Sequence, residues 1–121
     1  MQVQKTVFIS YRRTNIYMAR AVYQDLTAHG YDCFLDYESI DAGEFERVIK
    51  NQIAARAHFI VVLTPSALER CSDPTDWLRR EMEWALEKER NIVPLMFEGF
   101  SFKDVQKYLV GKLAALPNYN A

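Results

Sequence analysis

Val7-Phe8-Ile9-Ser10-Tyr11-Arg12-Arg13 runs from unbroken apolar character straight into a tyrosine and two arginines. A short apolar run of this kind reads as a strand buried on both faces, as in a parallel sheet covered by helices. In open α/β sheets, ligands bind outside the carboxyl ends of such strands. Two guanidiniums placed there can hold phosphates or carboxylates in bidentate fashion. The plainer reading is a pair of surface charges bridged to a neighbouring loop, and this stretch alone leaves both open.

Outward from that strand, helix and strand alternate. Thr14 or Asn15 can cap a helix whose apolar positions Met18, Ala19, Val22 and Leu26 recur at helical spacing. His29-Gly30 ends it, glycine supplying a left-handed terminus. Residues 31–35 form a second strand, followed by a polar loop over 36–43. Residues 44–56 form a helix with Phe45, Val48, Ile49 and Ile53 on one face. The β-branched run 58–63 is the most emphatic strand, and Thr64-Pro65 ends it. Ser66-Ala67-Leu68-Glu69 has the spacing of a capping box opening a short helix. Pro74 and Asp76 bracket the start of a longer helix to about residue 90. Residues 91–97 form a fourth strand, and Ser101 is placed to cap a helix through Leu113. Short connections between alternating elements are the mark of βα units in a doubly wound sheet.

The totals agree with one domain. A chain of 121 residues, half of them apolar and 26% charged, supports one core and not two. Fifteen basic against sixteen acidic residues give a net charge of -1, so there is no electrostatic case for nucleic acid. Cys33 and Cys71 lack metal-ligand spacing and read as reduced thiols of a cytoplasmic protein. No apolar stretch has the length of a membrane span, and the N-terminus lacks the pattern of a signal peptide. No glycine-rich fingerprint follows the first strand, which argues against hydride transfer on a Rossmann domain, and there is no phosphate-cradling P-loop. The acids a phospho-accepting receiver needs after its first strand are also missing.

In the helix from Asp76, Leu78, Met82, Ala85 and Leu86 form a core stripe. Trp77, Glu81, Trp84 and Lys88 form a neighbouring stripe, with Trp77 and Glu81 one turn apart. An indole beside a carboxylate offers a stacking platform next to a negative charge. It also fits a half-buried tryptophan widening the core beside a solvated or ion-paired glutamate.

Five segments in order resemble boxes of the Toll/interleukin receptor (TIR) domain. They are Phe8-Ile9-Ser10-Tyr11-Arg12-Arg13, Phe34-Leu35-Asp36 leading to Asp41-Ala42-Gly43-Glu44-Phe45, Val62-Leu63-Thr64-Pro65-Ser66-Ala67-Leu68, Asp76-Trp77-Leu78-Arg79-Arg80-Glu81, and Asn91-Ile92-Val93-Pro94. The resemblance spans nearly the whole chain and is nearest to the enzymatic branch, which includes bacterial immune TIR proteins and the NAD hydrolase of animal axon degeneration. It implies a flavodoxin-like α/β fold, a parallel sheet of four to five strands flanked by helices on both faces. It further implies cleavage of the nicotinamide–ribose bond of NAD+, which is the substrate, with no resident cofactor and no metal.

Carried over position by position, Glu81 matches the catalytic glutamate and Trp77 an aromatic that stacks on substrate. Asp73 matches an acid at the pocket rim, and Tyr11, Arg12 and Arg13 match residues bordering the cleft. Asp41 and Phe45 are substrate-side members of the mobile BB loop. The rest of that loop, Asp36, Tyr37, Glu38, Ser39, Ile40, Ala42, Gly43 and Glu44, is implied to pack against a neighbouring subunit. Ser66 and Cys71 line the rim. Family members work by TIR–TIR assembly in immune or cell-death signalling, typically fused to a sensor or oligomerisation module. The alternative within the family is an adaptor without catalysis. A complete TIR domain normally continues with a last strand and helix, so residues 1–121 are expected to be a TIR domain shortened at its C-terminal end and belonging to a longer protein.

Overall fold

The computed structural model describes residues 5–35 and 42–119. Among these, β1 (Thr6–Ser10), β2 (Asp32–Leu35), β3 (His58–Leu63) and β4 (Asn91–Met96) form one sheet in the order β2-β1-β3-β4. Every neighbouring pair is parallel. The helices α1 (Ile16–Ala28), α2 (Ala42–Ala55) and α3 (Trp77–Glu87) occupy the connections. The chain steps from β1 outward to β2 and then returns to the other side of β1 for β3. That reversal makes the carboxyl ends of β1 and β3 the topological switch point, where an open α/β sheet has its crevice.

Alternation along β1 sends side chains to opposite faces. Val7 and Ile9 pack with Ala19, Leu35 and Val62 on the α1 side, joined by Val22 and Leu26. Phe8 packs with Ile49, Ile53, Phe59, Met82 and Ala85 on the α2–α3 side. Both faces are therefore covered, which is why an unbroken apolar run was needed at 7–9. Register is held by rings: Phe8 lies opposite both Phe34 and Phe59, and it stacks on them at 5.3 and 5.5 Å. No helix of the described residues is long and apolar enough to cross a membrane.

The strand expectations hold to within a residue. Some local expectations do not. Residues 65–72 run as successive turns in place of a helix capped by Ser66. The apolar Ala67, Leu68 and Cys71 dive into the core there, and burying three side chains within five residues outweighs regular helix geometry. The helix expected from Ser101 to Leu113 is two 3₁₀ segments, Phe102–Tyr108 and Gly111–Tyr119, the first kinked at Val105. Ser101 still caps the first, accepting from the Lys103 N–H at 3.3 Å. Ala42 and Gly43, expected in the loop, open α2, while positions 36–41 lie outside the described residues. Asn15 stands at the N-cap of α1 but makes no side-chain cap bond. Its Oδ1 accepts from the Thr64 hydroxyl at 3.0 Å instead, tying the entry to α1 to the end of β3.

Among the described residues β4 is an edge strand. The Asn91 and Phe97 N–H groups both donate towards β3 and its flanks, so by alternation the nitrogen of Pro94 falls on the outward side. A missing donor on an open edge weakens it as a template for further pairing.

α1 ends as expected. Gly30 has φ 87°, the Tyr31 N–H donates to the Leu26 carbonyl at 3.0 Å and the Gly30 N–H to Thr27 at 3.1 Å, a Schellman motif. A Cβ on Gly30 would meet only the Lys5 ammonium at 3.7 Å, so strain and not crowding is the penalty. Gly30→Ala is expected to lower stability by about 1–2 kcal/mol, read as a lower urea midpoint with an unchanged slope. An unchanged midpoint would contradict the motif.

Candidate active site

β1 ends at Ser10, and Tyr11 and Arg12 leave the sheet before a 3₁₀ turn, Arg13–Asn15, feeds α1. Arg12 reaches across the switch point. Its Nη1 and Nη2 donate to the two carboxylate oxygens of Asp76 at 2.5 and 3.1 Å, and Nε and Nη2 donate to the Ala67 carbonyl at 3.0 and 2.7 Å. Asp76 is the N-cap of α3 and also accepts from the Arg79 N–H at 3.1 Å. One guanidinium therefore joins the end of β1, the turns after β3 and the start of α3. The planar fork suits this, because each edge can bind a different acceptor.

Below that clamp lies the second link. The Ser10 hydroxyl donates to Glu81 Oε1 at 2.5 Å, with Ser10 and Glu81 only 1% and 5% exposed. A carboxylate removed from water is costly unless its oxygens have donors, so this contact is a condition of placing Glu81 here. Glu81 is buried at the carboxyl end of β1, not solvated on the helix surface.

An aromatic wall stands beside it. Phe45 of α2 meets Trp77 edge to face at 4.8 Å, and Trp77 meets Trp84 at 6.0 Å. The Arg80 guanidinium lies 4.5 Å from the Trp77 ring centre and 5.1 Å from that of Trp84, and pairs with Glu46 of α2. Lys50 sits over the other end at Trp84, 5.3 Å from its ring centre. These contacts hold α2 against α3 and keep Trp77 half-buried.

Residues 7–116 match the family model described as TIR domain. This chain belongs to the TIR family. The TIR domain is 37% identical over 105 residues to "NAD(+) hydrolase sarm1" of Drosophila melanogaster, covering 84% of this chain and 8% of that protein. It is 34% identical over 121 residues to "NAD(+) hydrolase tir-1" of Caenorhabditis elegans, covering 97% and 12%. To "NAD(+) hydrolase SARM1" of Danio rerio it is 37% identical over 93 residues, covering 74% and 13%. The chain thus spans about a tenth of the length of these curated relatives. Among solved structures, the TIR domains of the activated Roq1 resistosome, which directly recognises the pathogen effector XopQ, superpose with a TM-score of 0.67 at 20% identity. That match covers 96% of this chain and 70% of the other.

Within this TIR domain, the residues expected at the site fall into groups. Phe45 of α2 meets Trp77 of α3, and Glu81 lies one turn further along α3 with its carboxylate on Ser10. Arg12, expected to border the cleft, has its guanidinium engaged by Asp76 and Ala67, whereas Arg13 is exposed. Tyr11 is half-buried against the α1-side core. Asp73 is exposed and accepts from the Thr75 N–H and hydroxyl, which hold its carboxyl below the usual range. Ser66 is exposed in the turns, and Glu44 pairs with Arg47 in the first turn of α2. Asp41 and positions 36–40 lie outside the described residues. Among the described residues, no three His, Cys, Asp or Glu side chains gather as a metal site.

The sequence singles out neither Ser10 nor Asp76 as a site residue: Ser10 is one member of a motif, and Asp76 brackets a helix start with Pro74. The signal for Ser10 was a hydroxyl ending a fully apolar run, since a buried hydroxyl needs a partner.

Cys71 is buried beside the clamp, with Sγ 3.8 Å from Arg12 Nη2 and 3.6 Å from Asp76. Burial, then the Asp76 charge, pushes its thiol up to about 12 from 9.0. The native state therefore holds that proton more tightly than the unfolded chain. Its contribution to stability is whole below pH 9.0 and is lost as pH rises towards about 12. In Cys71→Ala the fall in stability between those limits is expected to be shallower than in wild type, by urea denaturation across pH. An equal slope would place the thiol in solvent.

Removing Arg12 leaves Asp76, 7% exposed, charged and poorly compensated. Arg12→Ala is expected to cost about 3 kcal/mol. Adding Asp76→Ser, which keeps a capping oxygen and removes the charge, should recover part of that loss. A double mutant no better than Arg12→Ala would show that the pair does not carry the effect.

Proposed function

We propose that this TIR domain is an NAD+ glycohydrolase. It cleaves the nicotinamide–ribose bond to give nicotinamide and ADP-ribose or a cyclic ADP-ribose product. The observation that carries the reading is Glu81, a carboxylate held out of water at the switch point and carried on the same helix as Trp77. It is supported by relatives named NAD(+) hydrolases at 34–37% identity.

The chemistry needs one carboxylate. Most glycosidases need two, because an alcohol leaving group must be protonated as its bond breaks. The nicotinamide of NAD+ is already a cationic pyridinium and departs neutral, so no general acid is required. What remains is to oppose the positive charge that develops on the ribose, and a preorganised anion in a low-dielectric site does that. In this reading Glu81 engages the ribose hydroxyls and opposes the oxocarbenium charge. Trp77 and Phe45 stack against the substrate, and Tyr11, Arg13, Asp41 and Asp73 border it. Ser66 and Cys71 line the rim, and Arg12 holds the walls together while facing the same cleft. Water then completes hydrolysis, or an atom of the same molecule closes the ring. NAD+ is a substrate here and no resident cofactor is involved.

Assembly belongs to the same proposal. Copies of the domain self-associate through residues 36–44, and a sensor or oligomerisation module in the same cytoplasmic protein drives them together in immune or cell-death signalling. The resistosome context of the structural neighbour supports this. Assembly without catalysis is the second reading, favoured by the exposed Tyr17 and Met18 on α1, large apolar side chains that a self-associating face would bury.

Nicotinamide release is expected from wild type at high concentration or tethered on beads, and about 100-fold less or none from Glu81→Gln. The glutamine oxygen can still accept from Ser10, so the fold is kept. Equal release by both would remove Glu81 from the chemistry. Silence from both, with folding verified, would leave the assembly reading.

A further inference from the structure

The structure assigns Ser10 as the positioning residue for Glu81, a role that rests on the reading of Glu81 as the reactive carboxylate and extends it. Ser10 is the last residue of β1, paired in register with Val61 of β3. Its backbone is thus fixed at the switch point by the neighbouring strand, and its side chain is 1% exposed. A strand end of this kind is a rigid place from which to offer a hydrogen bond. The hydroxyl donates across 71 residues of sequence to Glu81 Oε1 at 2.5 Å.

A glutamate on a helix has three side-chain torsions, and left to itself it would sample several rotamers. A carboxylate that must oppose charge on a ribose has to stand in one place before the substrate arrives, since electrostatic stabilisation acts through preorganisation. The Ser10 donor selects one rotamer and favours the ionised form, the form the chemistry needs. Ser10 does this without touching the substrate.

Ser10→Ala tests this, because it deletes one oxygen from a buried site and leaves strand and helix in place. In bead-tethered turnover of NAD+, kcat is expected to fall about 10- to 100-fold with KM little changed. The acid limb of the kcat/KM profile should move to higher pH, since the ionised carboxylate has lost one hydrogen-bond donor. Ser10→Thr, which restores a hydroxyl, should return both towards wild type. If Ser10→Ala melts at the assay temperature, Ser10→Cys, with a weaker donor of similar size, is expected to show the same changes in smaller measure.

A readout independent of turnover is the carboxyl carbon resonance of Glu81, assigned by its absence in Glu81→Gln. Its titration midpoint should rise in Ser10→Ala. A midpoint and a kcat both unchanged in Ser10→Ala, with Glu81→Gln inactive, would overturn the positioning role and leave the Glu81 reading standing. Equal activity of wild type and Glu81→Gln would overturn the Glu81 reading, and the positioning role with it.

Discussion

The contact on which the rest depends is the pairing of Arg12 with Asp76. It joins the end of the first strand to the beginning of the third helix across 64 residues of sequence. Because Asp76 is also the N-cap of α3, the pair fixes where that helix starts as well as how near it lies. Glu81 follows five residues later, about 7.5 Å further along the axis, and drops beneath the end of β1 within reach of Ser10. The carbonyl of Ala67 on the same guanidinium brings the turns after β3 into register with both. A helix anchored only by apolar packing could rotate by a fraction of a turn at little cost in buried area. This one cannot rotate without leaving two carboxylates short of donors.

Polar groups are divided between the two elements in a consistent way. The end of β1 and the residues just after it supply donors, Ser10 and Arg12, while α3 and its cap supply acceptors, Glu81 and Asp76. Buried charges of this kind are poor sources of stability when compared with apolar residues of similar shape. Their use is in selecting a single arrangement. The apolar half of the same helix supplies the adhesion, with Leu78, Met82 and Ala85 in the main core. The outer aromatic wall of Phe45, Trp77 and Trp84, with Arg80 lodged against two of the rings, ties α2 to α3. The two stripes of α3 thus differ in what they contribute, one packing the core and the other carrying both the carboxylate and the aromatic surface next to it.

Much of the fold was legible in local pattern. The apolar run at 7–9 had to be covered on both sides, and Phe8 on one face with Val7 and Ile9 on the other meets that demand. Gly30 marked the end of α1 because only a residue without a Cβ adopts its φ of 87° without strain. The segment 66–69 misled because a capping-box spacing says nothing about the pull of Ala67, Leu68 and Cys71 into the core. The stretch after Ser101 misled for a related reason: Val105, Leu113 and Leu116 are buried at intervals that two 3₁₀ segments serve.

What the sequence by itself determined is the order of strands and helices, the α/β class, the TIR resemblance and the helix that carries Trp77 and Glu81. These rest on periodicity, capping and ordered motifs, all of which act over a few residues. What only the tertiary structure decided is which polar groups meet: Arg12 with Asp76 and Ala67, Ser10 with Glu81, Thr64 with Asn15. The adjacent arginines were indistinguishable in the sequence, yet one is clamped inside the molecule and the other is exposed. The physical reason is that these partners lie some 50 to 70 residues apart. Their meeting depends on the order of strands in the sheet and the rotation of α3, and neither is written in any local pattern.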